Sequence, residues 1–359
     1  MASEASLAER LRRLIEVQGP IPVSLYMAQA NAAYYAARDP FGAAGDFITA
    51  PEISQMFGEM VGVWLADVWS RAGSPEHVLY VEPGPGRGTL AKDALRVAAR
   101  FGLRPHVHFV ETSPVLRAAQ REAFPQAHWH DDLSTLPEDA PILLVANEFL
   151  DALPLRQMVK VPQGWRERMV GLDGERFVPV AGSLPMDAAI PECWREAEAG
   201  AIVESSPAAA NVMREIGARL AAQGGAALVI DYGHAQGQLG SSLQALRAHA
   251  HVDPFVDPGL ADLTWLVDFA SAAHMAQSEG ARCIGVAEQG AWLMAMGMGT
   301  RAAALTRSAP DQAQSIAQAF HRLVAPEQMG RLFKVLGLAG RDWPDGAGFV
   351  PVDAEATSA

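Results

Sequence analysis

The chain has 359 residues, half of them hydrophobic and 19% charged, with a formal net charge of −13 and two cysteines. That length allows a large core and one or two domains of ordinary globular composition. The acidic balance argues against a general nucleic-acid binder, and Cys193 and Cys283 are too few and too distant for a disulfide framework or a cysteine-based zinc site; they fit a reducing cytoplasm.

In chain order, "MASEASLAERLRRLIEVQG" reads as an amphipathic helix near 4–17. Its Glu4, Glu9 and Glu16 argue against a transit peptide, it lacks the apolar centre of a secretory signal, and no apolar run in the chain approaches the length of a membrane span. A second helix is expected near 22–37, with Pro22 suited to its first turn. "RDPFGAAGDFITAPEIS" then breaks the periodicity. A third helix follows from about Ser54, where Met56, Phe57, Met60, Val61, Val63 and Trp64 form an apolar stripe. Residues 1–76 thus read as a helical cap carrying a loop for substrate.

From residue 77 the pattern changes. Apolar strands are expected at 77–82, 106–111, 142–147 and 226–231, with helices at 89–101 and 114–123. Apolar strands alternating with helices specify an α/β fold whose parallel sheet is covered on both faces. The stretch 156–180 has period-two segments between Gly-containing turns and predicts inserted antiparallel hairpins. An irregular segment, 236–262, follows the last strand. The expected division is a core over 77–345, with insertions near 156–215 and 236–275, and a tail at 346–359.

The stretch "LYVEPGPGRGTLAKD", residues 79–93, places Glu82 at a strand end ahead of Gly84, Gly86 and Gly88. A Walker loop would end in Gly-Lys-Ser/Thr, whereas Gly88 is followed by Thr89 and Leu90. The dinucleotide fingerprint would put its third glycine where Thr89 stands. A carboxylate beside a pyrophosphate is repelled, and beside a cation it is favourable. Glu111 ends the next strand, where an acid can accept hydrogen bonds from ribose hydroxyls. Asp132 follows "AHWHD" and can meet an adenine amino group. An adenosine without phosphate, carrying a positive centre and an amino group, is S-adenosylmethionine. The competing reading is a glycine turn that packs helix on sheet, with acids that cap helices.

Five stretches, "GDFITAPEISQMFGEMVGVW", "EPGPGRGTLAKDALR", "NEFLDALP", "GGAALVIDYGH" and "DPGLADLTWLVDF", resemble the MidA-type class I methyltransferases over about residues 7–340. That family includes mitochondrial complex I assembly-factor methyltransferases and bacterial relatives. The resemblance implies a seven-stranded Rossmann-like sheet, S-adenosylmethionine as cofactor and, for the mitochondrial members, arginine methylation of a complex I subunit. Cofactor-binding positions then fall on Glu82, Gly84, Gly86, Gly88, Glu111, Thr112, Asp132, Leu133 and Asn147. Asn147 departs from the family pattern, which has histidine there.

An arginine substrate stays protonated at ordinary pH, so carboxylates must hold it and receive the proton released as the C–N bond forms. Glu148 and Asp151, just past the strand at 142–147, and Asp46 in the "GDF" loop are the catalytic candidates. A non-catalytic assembly factor is the alternative, and a metal-dependent hydrolase a second, prompted by His249, His251 and Asp253 in "HAHVD" and by His128, His130 and Asp131 in "HWHDD". Neither cluster has a completing histidine, so no metal is expected. The additions to a minimal methyltransferase and the net charge point to a protein substrate with a basic segment. A homo-oligomer is compatible with this reading.

Overall fold

The computed structural model describes residues 5–37, 49–247 and 250–349. The chain forms two compact units. One gathers Met1–Phe47, Asp151–Ala210 and Gly237–Leu266; the other gathers Ile48–Leu150, Asn211–Gln236 and Val267–Ala359. These borders cut across the division at 76/77 that the sequence suggests.

The second unit is built on a mainly parallel sheet. Its strands are β1 (Leu79–Pro83), β2 (His106–Val110), β3 (His128–His130), β4 (Ile142–Asn147), β5 (Gly225–His234), β6 (Val267–Asp268), β7 (Arg282–Glu288) and β8 (Phe333–Ala339). Seven of them run in the order β7-β8-β5-β4-β1-β2-β3, and the two-residue β6 pairs in parallel with β5. Among the described residues the sheet thus has seven strands along one path, the number expected, with β6 as a short eighth beside β5. β8 runs antiparallel to both β5 and β7, and the other pairings are parallel. Strand order reverses between β1 and β4, and in such sheets ligands bind beyond the carboxyl ends of the strands at that switch.

β1 and β4 are buried along their whole length, which is why they read as continuous apolar runs. Helix Gln55–Arg71, expected within the cap, belongs to this unit and packs on helix Thr89–Ala98. Gly62 permits the approach, since a Cβ there would lie 2.2 Å from the carbonyl oxygen of Ala94. The packed chain also continues past 346, with the Phe349 ring against Gly285 and Gly337.

The first unit carries the hairpins expected over 156–180. Strands Arg156–Val161, Gly164–Asp173 and Arg176–Pro185 form an antiparallel sheet joined by Ile21–Pro22 and Ile202–Ser205. Met158, Trp165, Ile190 and Val203 make its small core. The segment expected to be irregular contains a second small sheet of Gln244–Arg247, Ala250–Val252 and Asp262–Thr264. Asn31, on helix Val23–Ala37, secures it by donating to the Leu263 carbonyl at 2.8 Å and accepting from the Leu263 amide at 3.0 Å.

Candidate active site

At the carboxyl end of β1 the backbone turns through Gly84, Gly86 and Gly88 at φ of 63°, 55° and 79°, the left-handed region that glycine enters without steric cost. Two of these positions are also crowded. A Cβ on Gly84 would lie 2.9 Å from the Phe149 ring, and one on Gly88 would lie 3.1 Å from the Phe124 ring. The loop opens helix Thr89–Ala98, and the Thr89 hydroxyl donates to Glu52 at 2.5 Å.

Glu82 is buried under this loop, with the Tyr80 hydroxyl donating to its Oε2 at 2.6 Å. Burial pushes the Glu82 carboxyl up to about 8, against the smaller lowering effect of that hydrogen bond. Burial, and then the charge of Glu82, hold the Tyr80 phenol well above its ordinary value, so it remains a donor. A buried acid with so little compensation is a ready partner for a cation, whose charge favours the ionised form.

Glu111 follows β2. Its Oε1 accepts from the Ser113 amide at 2.8 Å, and its Oε2 accepts from Gln120 at 3.4 Å. Burial raises this carboxyl, and hydrogen bonds from Ser113, Gln120 and Thr112 pull it back. Thr112 itself is exposed. Asp132 is exposed and caps the short turn Leu133–Thr135, accepting from the Ser134 amide at 2.8 Å and hydroxyl at 2.5 Å; those bonds lower its carboxyl. Leu133 is buried.

At the end of β4, Glu148 has φ of 49°, an uncommon conformation for a residue with a Cβ. Its Oε1 accepts from the Ala50 amide at 3.0 Å and from Asn147 Nδ2 at 3.1 Å. The second of these bonds fixes the Asn147 amide, because its oxygen would be repelled by the carboxylate. Asn147 Oδ1 is buried and has no hydrogen-bond partner among the described residues. Asp231, wholly buried on β5, accepts from the Leu150 amide at 3.0 Å and holds the turn that follows Glu148.

Asp151 belongs to the antiparallel unit. There it is buried, and with Asp262 it raises the phenol of Tyr35, burial being the larger cause; Tyr35 donates to Asp262 at 2.9 Å. Asp46 lies outside the described residues, as does His249. His128 and His130 gather around His108. Its ring stacks on His128 with centroids 4.9 Å apart, and its Nδ1 lies 2.9 Å from His130 Nε2. Burial first, and then the neighbouring imidazoles, push His108 down to about 4, and burial first lowers His130 as well. Among the described residues no group of three or more His, Cys, Asp or Glu is arranged to hold a metal ion.

A family model for S-adenosyl-L-methionine-dependent methyltransferases matches residues 60–287. A Drosophila melanogaster homologue of the mitochondrial protein arginine methyltransferase NDUFAF7 is 36% identical, covering 94% of this chain and 85% of its own. The chain belongs to the MidA-type methyltransferases. The human NDUFAF7 protein is 35% identical over 94% of this chain and 84% of its own. A Burkholderia thailandensis protein solved with S-adenosyl-homocysteine aligns at a TM-score of 0.83 and 30% identity, covering 95% of this chain and 93% of the other.

Membership makes the chain an enzyme with S-adenosylmethionine as cofactor, and its residues fit that group. The glycine loop leaves no Cβ in the way of an approaching ligand, Glu82 calls for a cation, and nothing in the loop follows a diphosphate pattern. One expectation is corrected. The animal relatives are mitochondrial by name, which overturns the cytoplasmic assignment. Cysteine usage distinguishes oxidising from reducing surroundings, and the cytoplasm is not the only reducing compartment. No helix among the described residues is long and apolar enough to cross a membrane.

Proposed function

We propose that the chain is a protein arginine N-methyltransferase acting on a subunit of a complex I-type respiratory assembly. The observation that carries this is its 36% identity, over 94% of the chain, to a protein arginine methyltransferase. The chemistry at the end of β4 supports it. Bound S-adenosylmethionine supplies an electrophilic methyl group. The chain must orient the guanidinium for an in-line approach, exclude water and accept the proton as the C–N bond forms. Glu148 holds the guanidinium, with its Oε1 already fixed by Ala50 and Asn147. Asn147 Oδ1 takes a further N–H, a role that suits a buried acceptor without a partner. With the cofactor bound, Glu82 would hold its positive charge, Glu111 with Thr112 its ribose hydroxyls and Asp132 with Leu133 its adenine, and Gly84, Gly86 and Gly88 would leave the backbone room for it.

The net charge of −13 favours a substrate that presents a basic segment around the target arginine. Methylation of a purified complex I subunit and of short arginine peptides, measured across ionic strength, tests this. The expected result is a strong preference for the whole subunit that weakens with salt. Equal, salt-insensitive rates on free arginine would overturn it.

A further inference from the structure

Gln120 lies on helix Pro114–Ala123, outside every motif that points to cofactor or substrate, and it is wholly buried. Its Oε1 accepts from Trp129 Nε1 at 2.8 Å. Indole nitrogen can only donate, so this bond fixes which end of the amide is oxygen. The Nε2 end is then committed in two directions. It donates to the carbonyl oxygen of Gly86 at 2.7 Å and to Glu111 Oε2 at 3.4 Å. One side chain thus joins the middle of the glycine loop, the acid after β2 and an aromatic residue on β3. Arg121 covers the outer side of that indole, with its guanidinium carbon 5.0 Å from the ring centroid.

We infer that Gln120 is a positioning residue that locks the glycine loop and Glu111 into one rigid template for the adenosyl moiety; this rests on Glu111 being the ribose acid. A positive-φ loop has few bonds of its own to hold it. A buried carbonyl such as that of Gly86 needs a donor, and Gln120 supplies it while holding the Glu111 carboxylate in a fixed rotamer. The ribose hydroxyls then meet an acid that is already oriented, so binding does not have to order it.

The test is calorimetry of the full chain with S-adenosylhomocysteine and with its 2′-deoxy analogue. The proteins are the wild type, Gln120→Met, Glu111→Gln and the double variant. Methionine keeps the volume and removes the hydrogen bonds. Gln120→Met is expected to weaken S-adenosylhomocysteine about tenfold, the scale of one hydrogen-bonded group left unsatisfied. The analogue, which lacks a hydroxyl for Glu111, is expected to lose less. The double variant is expected to lose less than the product of the single losses, because both act on one contact. Unchanged affinity in Gln120→Met, or equal losses for both ligands with fully multiplicative effects, would overturn the inference. Should Gln120→Met fail to fold, Trp129→Phe removes the bond that orients the amide. A smaller loss in the same direction supports the role, and no change contradicts it. If Glu111→Gln binds S-adenosylhomocysteine as well as wild type does, the ribose assignment itself falls. If Glu111→Gln weakens binding and Gln120→Met does not, only the role of Gln120 falls.

Discussion

Glu204 of the antiparallel unit and Glu82 of the parallel unit are two inward acids held in different ways. In the antiparallel unit, Glu204 accepts from Gln157 Nε2 at 2.6 Å, from the Ser242 amide at 2.9 Å and from the Ser242 hydroxyl. Gln157 donates in turn to the Ser241 hydroxyl at 2.8 Å, and the Leu266 amide donates to the Ser242 hydroxyl at 3.0 Å. Every bond in this network holds one piece of chain to another. In the parallel unit, Glu82 is more deeply buried and has the Tyr80 hydroxyl as its named donor. A satisfied acid holds shape, whereas an acid left short of donors stores a demand that a ligand can meet.

The largest expected effect that sharpens this contrast comes from the loop above Glu82. Gly86→Val places a β-branched residue at φ of 55° and is expected to abolish measurable S-adenosylmethionine binding in a folded protein. Calorimetry beside a thermal melt checks both halves of that statement. Next is Glu148→Gln, which keeps shape and removes charge. Methyl transfer is expected to fall by about 100-fold or more, while cofactor affinity changes little. A large loss of cofactor affinity would instead move Glu148 to the cofactor site.

A smaller effect follows from the pH behaviour of Glu82. Its folded carboxyl sits at about 8, against an ordinary value of 4.5. Below 4.5 it is protonated whether the chain is folded or not. Between the two values the folded chain keeps a proton that the unfolded chain releases, so this group lowers stability as pH rises from 4.5 to about 8. A cation beside it favours the ionised form. Affinity for S-adenosylmethionine should therefore rise with pH towards 8 and then level, and Glu82→Gln should flatten both trends. An affinity independent of pH in the wild type would contradict the placement of charge. The smallest effect on binding belongs to the other unit. Glu204→Ala should cost about 1–3 kcal/mol of stability by stranding its donors, and leave the calorimetric affinity for cofactor unchanged.

The sequence makes the parallel sheet legible because fully buried strands read as apolar runs, and the ends of β1, β2 and β4 carry Glu82, Glu111 and Glu148. Tyr80 was within reach of the same reasoning, since residues two apart share a strand face. Gln120 was harder, because a lone buried amide on a helix gains meaning only from Gly86, Glu111 and Trp129, which arrive from three other segments. Asp231 could be read as an acid in a central strand, but not as the holder of the turn after Glu148. Glu148 and Asp151 are both candidates because they follow the strand at 142–147, and that position alone does not tell which compact unit each joins. The eighth strand, β6, is two residues long and gives no periodic signal.

The most direct measurement of the central claim is methyl transfer from isotopically labelled S-adenosylmethionine to purified complex I subunits, read by mass spectrometry at residue level. The wild-type chain is expected to place label on an arginine of one subunit, and Glu148→Gln is expected to bind cofactor and place almost none. Label on no arginine with the wild type, or equal labelling by Glu148→Gln, would contradict the account.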